Sequence, residues 1–252
     1  MEKIRIEDIM NLSIEDGRVI MIRMIAFDLD KTLAELEQAV PGAVVTRLQE
    51  YENKGVAIAL CSGKPAFYLS GFVRQMSLNR PVLIGENGAV VQLGIKLPPE
   101  EEYYMEADPK SIQLLEEMKR EVKENYTEGI WLQPNEVELT IFFRNQDYKD
   151  RIGAYLSSKL SEEQNLGLVD RYDHVDCFDL SPGGINKGTG LRFAAGLLGI
   201  PMEKVAAVGD NTNDYPMFEE AGISVGISLM EPERAKYNVK DIFEALDLLD
   251  GM

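Results

Sequence analysis

A doubly wound parallel α/β core, interrupted by a smaller inserted α+β unit, is predicted by three observations. Short apolar runs recur along the chain, and each passes abruptly into a polar turn and then a helical pattern; residues 19–27, 56–60 and 205–208 are the clearest. The rhythm breaks between about residues 96 and 181, where the elements read αββαββ, and then resumes. The 252 residues, 45% hydrophobic, suffice for such a core and a second small unit. The expected division is 1–95 and 182–252 for the core and 96–181 for the insertion. Residues 1–19 read as an N-terminal extension of little weight, because Met21 and Met24 offer later starts.

The first run, 19–27, is apolar except for Arg23 and suits a strand buried on both faces. Residues 38–54 place Val40, Val44, Val45, Leu48 and Tyr51 at helical spacing and stop at Gly55. The run 56–60 opens into Cys61-Ser62-Gly63-Lys64-Pro65, with Pro65 placed to begin a helix to about residue 78. A third strand at 81–84 leads to Asn87-Gly88, a tight-hairpin signal. Pro98, Pro99 and the surrounding glutamates mark a linker. The insertion then reads as helices at 109–125 and 148–160 and strands at 130–133, 137–144, 167–172 and 175–180. Beyond it come a helix at 188–198, a strand at 205–208, a helix at 213–220, a strand at 223–227 and a helix at 242–249.

Charge narrows the function classes. With 26 Lys+Arg against 43 Asp+Glu, net −17, neither nucleic acid nor an anionic membrane is expected as the partner. No signal-peptide block or membrane-length apolar stretch is seen, and Cys61 and Cys177 fit no metal-ligand spacing or short disulfide framework, so a cytoplasmic setting is expected. The oligomeric state has no signature in the sequence. An anionic substrate would need a local cation to offset the overall repulsion.

The chemistry gathers at strand ends. Asp28 and Asp30 follow the first apolar run, and i, i+2 spacing in an extended segment turns both carboxylates to one side. Two like charges that close call for a cation. Ser62 with Gly63, then Lys187, then Asp210 with Asn213 and Asp214 occupy equivalent places after a strand or before a helix. In a parallel sheet these clusters converge on one edge. Carboxylates there can hold Mg²⁺, a lysine can neutralise phosphate, and an aspartate can act as a nucleophile, which together make a phosphoryl-transfer site.

The segments Asp28-Leu29-Asp30-Lys31-Thr32, Ser62, Lys187 and Gly209-Asp210-Asn211-Thr212-Asn213-Asp214 resemble, in order, the four motifs of the haloacid dehalogenase superfamily of phosphatases. The αββαββ insertion resembles the type IIB cap of its Cof-like and sucrose-phosphate-phosphatase-like branch, as does Glu86-Asn87-Gly88-Ala89. The resemblance implies a Rossmann-like core and Mg²⁺-dependent hydrolysis of a small-metabolite phosphate monoester, such as a sugar phosphate or phosphoglycolate, through an aspartyl-phosphate. It implies that Asp28 is the nucleophile and Asp30 the general acid/base. Asp28, Asp30 (through its backbone carbonyl), Asp210 and Asp214 would serve the metal. Ser62, Gly63, Lys187 and Asn213 would hold phosphate. Lys31 and Lys64 depart from the Gly and Arg of many relatives, and Lys64 lacks the bidentate fork of arginine.

Each cluster has a plainer reading: an Asp-rich strand-end turn for Asp28 and Asp30, a helix-capping loop at 209–214, a solvated surface lysine for Lys187 and a simple turn at Ser62. Their convergence favours chemistry. A phosphosugar mutase and a metabolite-binding regulator of the same fold are the alternatives. In the cap, Arg144, at the end of a strand, is the cation to test first for contact with substrate. Trp131, Phe142 and Phe143 read as cap core, His174 as a turn residue between cap strands, and Cys61 as a small buried residue beside the site.

Overall fold

The computed structural model describes residues 21–252 and, before them, two short antiparallel strands, Ile14–Glu15 and Arg18–Val19. Apart from those four residues, the expected N-terminal extension lies outside the described residues. The apolar run expected as one strand from residue 19 therefore divides. Val19 pairs in the small ladder, and the buried strand is Met24–Phe27 (β1).

The core continues through α1 (Gly42–Asn53), β2 (Ala57–Cys61), α2 (Ala66–Val73), β3 (Val82–Gly85), β4 (Val90–Leu93) and β5 (Glu102–Tyr104). Helix α1 starts later than periodicity suggests because Pro41 disfavours helical backbone at Val40, the residue before it. The insertion contains α3 (Pro109–Asn125), β6 (Ile130–Leu132), β7 (Leu139–Phe143), α4 (Gln146–Leu160), β8 (Val169–Asp173) and β9 (Cys177–Pro182), the expected αββαββ order. The core resumes with α5 (Lys187–Leu197), β10 (Val205–Gly209), α6 (Tyr215–Glu220), β11 (Ile223–Ile227), β12 (Tyr237–Val239) and α7 (Ile242–Asp250).

The large sheet has the order β12-β11-β10-β1-β2-β3-β4-β5. Its first six strands are parallel and the last two antiparallel. Strand β5 falls where a linker was expected. Its residues are half-buried or exposed, as suits an edge strand, and it is only three residues long, so it carries no apolar run to read. The same is true of β12 at the opposite edge.

Along β1 the side chains alternate between two cores. Ile25 and Phe27 pack with Val44, Leu48, Leu69 and Leu246 from α1, α2 and α7, while Met24 and Ala26 pack with Leu191, Ala194 and Phe218 from α5 and α6. This two-sided burial explains the unbroken apolar run. The order also makes β1 a switch point: the chain leaves it towards β2 on one side and returns much later as β10 on the other. Ligand crevices in open α/β sheets form beyond the strand ends at such a point.

The insertion builds its own antiparallel sheet, β8-β9-β7-β6, around a third core that includes Leu115, Met118, Ile141, Ile152, Leu156 and Phe178. It is fastened to the larger sheet by one buried carboxylate. Glu86, in the turn between β3 and β4, accepts the backbone N–H groups of Glu136, Val137 and Glu138 at 2.8 to 3.0 Å. Asn87 beside it donates from Nδ2 to Glu138 Oε1 and Asp179 Oδ2. Replacing Glu86 by Ala strands those N–H groups and is expected to lower the unfolding free energy by about 2–4 kcal/mol. Glu86→Gln, which keeps one acceptor oxygen, should fall in between. Chemical denaturation reads both, and an unchanged midpoint for Glu86→Ala would mean that water replaces the carboxylate.

Candidate active site

Three parallel strands deliver polar groups to one edge, two of them acids. The turn after β1 carries Asp28, whose N–H donates to Val208 O of β10 at 2.9 Å, and the turn after β10 carries Asp210. Ser62 and Gly63 follow β2, and Ser62 N–H is held by Ile84 O of β3. Lys31 has φ 64°, a left-handed conformation that explains why glycine suits this turn in relatives.

Lys187 lies at the centre. Its Nζ donates to Asp28 Oδ1 and to Asp214 Oδ1, both at 2.6 Å, and Lys187 and Asp214 are 1% and 0% exposed. The lysine is placed by the start of α5. Asn186 caps the helix by accepting the N–H groups of Gly188 and Thr189, and Thr189 Oγ1 accepts the Asn186 N–H in return. The helix comes so close to the 86–88 turn that a Cβ on Gly190 would sit 2.6 Å from Gly88 Cα, so only glycine permits the approach. Asp214 is locked from the other side, its Oδ2 accepting the backbone N–H groups of Asp210 and Asn211. A Cβ on Gly209 would collide with that carboxylate at 2.4 Å.

Asp28, Asp210 and Asp214 each offer an oxygen within 4.8 Å of the others, and Thr32 Oγ1 donates to Asp210 Oδ1 at 3.1 Å. One ammonium faces three carboxylates. Burial pushes the Asp28 carboxyl up to about 8, with Lys187 opposing and Asp214 and Asp210 reinforcing the shift. Burial and Asp214 likewise push Asp210 up to about 6. Burial disfavours the charge on Lys187, but Asp214 and Asp28 outweigh it and hold the ammonium well above the ordinary lysine value. The cluster therefore has an excess of buried negative charge and an all-oxygen donor set, which fits Mg²⁺.

The predicted residues do not all occupy the same layer. Asp28, Asp30, Ser62, Gly63, Asp210 and Asn213 line a cavity of about 380 Å³, whereas Lys187 and Asp214 lie beneath its floor. The Asp30 carboxylate stands apart from the acidic cluster; it is 35% exposed and 3.5 Å from Lys64 Nζ. Asn213 Nδ2 donates to Asn87 Oδ1, tying the fourth motif to the turn that fastens the insertion.

The inserted sheet forms the roof. Gln133, Thr140, Phe142, His174, Cys177 and Asp179 line the cavity from above, and Gln133 Nε2 donates to Gly63 O at 2.8 Å. His174 occupies the expected turn between β8 and β9, and its Nδ1 lies 3.5 Å from Asn211 Nδ2 across the gap. Arg144 does not reach the cavity; β7 ends one residue earlier, the chain turns into α4, and the side chain is exposed. The cations that line it are Lys31 and Lys64, the latter with its Nζ 5.5 Å from the centre of the Phe142 ring. Of the aromatic residues expected in the cap core, only Phe143 packs there, against Phe178; Phe142 faces the cavity and Trp131 is 57% exposed.

Comparison with known proteins places this geometry. A family model described as haloacid dehalogenase-like hydrolase matches residues 25–135 and, overlapping, 97–242. The chain belongs to the haloacid dehalogenase-like hydrolases. Among curated relatives, a phosphoglycolate phosphatase of Methanopyrus kandleri is 27% identical over 92% of this chain and 93% of its own length. One from Metallosphaera sedula is 29% identical over 84% and 88%. Among solved structures, a haloacid dehalogenase-like hydrolase from Bacteroides thetaiotaomicron superposes with a TM-score of 0.70 at 18% identity, covering 90% of this chain and 99% of its own. A sugar phosphatase of subclass IIB superposes with a TM-score of 0.68 at 19% identity, covering 91% and 100%. These structural likenesses are likenesses of fold.

A buried carboxyl whose folded pKa exceeds its unfolded value of about 3.9 costs stability once it ionises, and the cost grows as pH rises towards the folded pKa. For Asp28 that window runs from about 4 to about 8 when no cation is bound. Added Mg²⁺ offsets the cost, so it should raise Tm more at about pH 8 than at about pH 5.5. The increment should shrink in Asp210→Asn. A shift of equal size at both pH values would contradict the charge assignment.

Proposed function

We propose that this hydrolase is a phosphatase that transfers the phosphoryl group of a small metabolite first to Asp28 and then to water. The observation that carries the reading is the buried Lys187 ammonium held between Asp28 and Asp214 at the end of β1, with Asp210 alongside. Lys187 fixes the Asp28 carboxylate and favours its ionised form, leaving an oxygen free to attack phosphorus. Mg²⁺, held by Asp28, Asp210, the Asp30 carbonyl and, directly or through water, Asp214, would supply charge neutralisation for the phosphoryl oxygens.

Ser62, the Gly63 backbone and Asn213 are placed around the same cavity to hold those oxygens, and the charge of Lys187 acts from below. Asp30, more open and on the same turn, would give a proton to the leaving oxygen and then take one from the attacking water. The roof excludes bulk solvent from the aspartyl-phosphate and limits the substrate to one that fits about 380 Å³. We assign the core to the elements of the large sheet and the cap to α3 through β9, which begins after β5 rather than at residue 96. The names of the curated relatives make phosphoglycolate the first substrate to test, with sugar phosphates next.

With Mg²⁺ and an aryl phosphate, Asp28→Asn is expected to lower kcat by roughly 10⁴-fold or more while leaving the circular-dichroism spectrum unchanged. Undiminished turnover in that variant would end this mechanism. Assay of inorganic phosphate against isomerised sugar phosphate separates hydrolysis from a mutase reaction.

A further inference from the structure

The geometry points to a second metal site, in the cavity roof, that takes a borderline-soft divalent ion such as Zn²⁺ on His174, Cys177 and Asp179. Nitrogen, sulfur and oxygen ligand atoms from these side chains all lie within 4.8 Å of one another. His174 Nε2 is 3.2 Å from Asp179 Oδ2, close to the edge of roughly 3.4 Å that a tetrahedron with bonds of about 2.1 Å requires. That nitrogen is buried and, beyond its 3.2 Å approach to the Asp179 carboxylate, has no polar partner. A buried nitrogen left in this state calls for an explanation, and a metal ion supplies one.

The surroundings suit a bound ion. Asp179 Oδ2 accepts a hydrogen bond from Asn87 Nδ2 at 3.0 Å, which orients the carboxylate. Cys177 is a free, buried thiol at the start of β9. Binding therefore forms a sulfur–metal bond and releases the thiol proton to the buffer, with no change of oxidation state. All three ligands face the cavity, which leaves a fourth position open towards whatever occupies it.

Selectivity separates this site from the acidic one below. Mg²⁺ demands near-octahedral oxygen coordination and is a poor match for imidazole and thiolate, whereas Zn²⁺ and Co²⁺ favour them. The two cysteines are too far apart in sequence to suggest a site, but the local spacing His174-x-x-Cys177-x-Asp179 brings the donors together across the turn between β8 and β9. The inference stands whether or not the phosphatase reading does.

The test is Co²⁺ titration of the full-length protein with Mg²⁺ in excess to occupy the carboxylate site. One Co²⁺ per chain should bind with a thiolate-to-metal charge-transfer band in the near ultraviolet. The band should persist in Asp210→Asn and in Cys61→Ser and be lost in Cys177→Ser, and His174→Ala should weaken binding by at least about tenfold. X-ray absorption of the unmodified protein loaded with Zn²⁺ should show one sulfur at about 2.3 Å, which decides the matter even if a variant fails to fold. No band, a band that survives Cys177→Ser, or a shell of oxygen alone would overturn the assignment.

Discussion

A lysine ammonium removed from water is the constraint on which the rest of this structure depends. Leaving such a charge buried and unpaired would cost several kcal/mol, more than any single apolar contact returns. Asp28 and Asp214 offset that cost at 2.6 Å each, and the pairing imposes conditions on the backbone around it. Helix α5 must start against the 86–88 turn, which requires glycine at 88 and 190, and Asp214 must fold back over Gly209. The site is thus a consequence of satisfying one charge within a sheet edge assembled from distant segments.

The same pairing leaves the site short of positive charge. Lys187 cannot neutralise three carboxylates, so Asp28 and Asp210 are held near protonation unless a divalent ion is present. Affinity for a cation is built into the fold in this way, despite the cost in stability to the metal-free protein. For a chain of net charge −17, a local cation is also what allows an anionic substrate to approach.

Above this floor, the cap is attached through hydrogen bonds and not through a shared apolar interface alone. Glu86 and Asn87 on the core side, the latter braced by Asn213, meet the 136–138 backbone, Glu138 and Asp179 on the cap side, and Gln133 reaches down to Gly63. Burial raises the Glu138 carboxyl well above its ordinary range, and Asp179 beside it adds to the shift, while Asp179 itself stays ionised. The two acids therefore differ in charge although both are buried beside Asn87. Directional contacts of this kind set the cap in one register over the cavity and give the roof a polar, histidine-bearing surface.

The sequence by itself determined the buried strands, the αββαββ insertion and the acids at the strand ends. Burial on both faces writes an unbroken apolar run, and each such run ends where chemistry begins. Its boundaries were less legible where a short edge strand such as Glu102–Tyr104 carries half-buried and exposed residues. Glu138 and Asp179, acids within or beside apolar strands, were a readable signal of special roles, but nothing local says what they face. Only the tertiary structure decided that Lys187 and Asp214 lie below the cavity floor, that Lys31 and Lys64 line the cavity and Arg144 does not, that Phe142 faces inwards, and that Glu86 fastens the cap. Those facts depend on which distant elements meet, and periodicity along a single segment records only whether a side chain is buried.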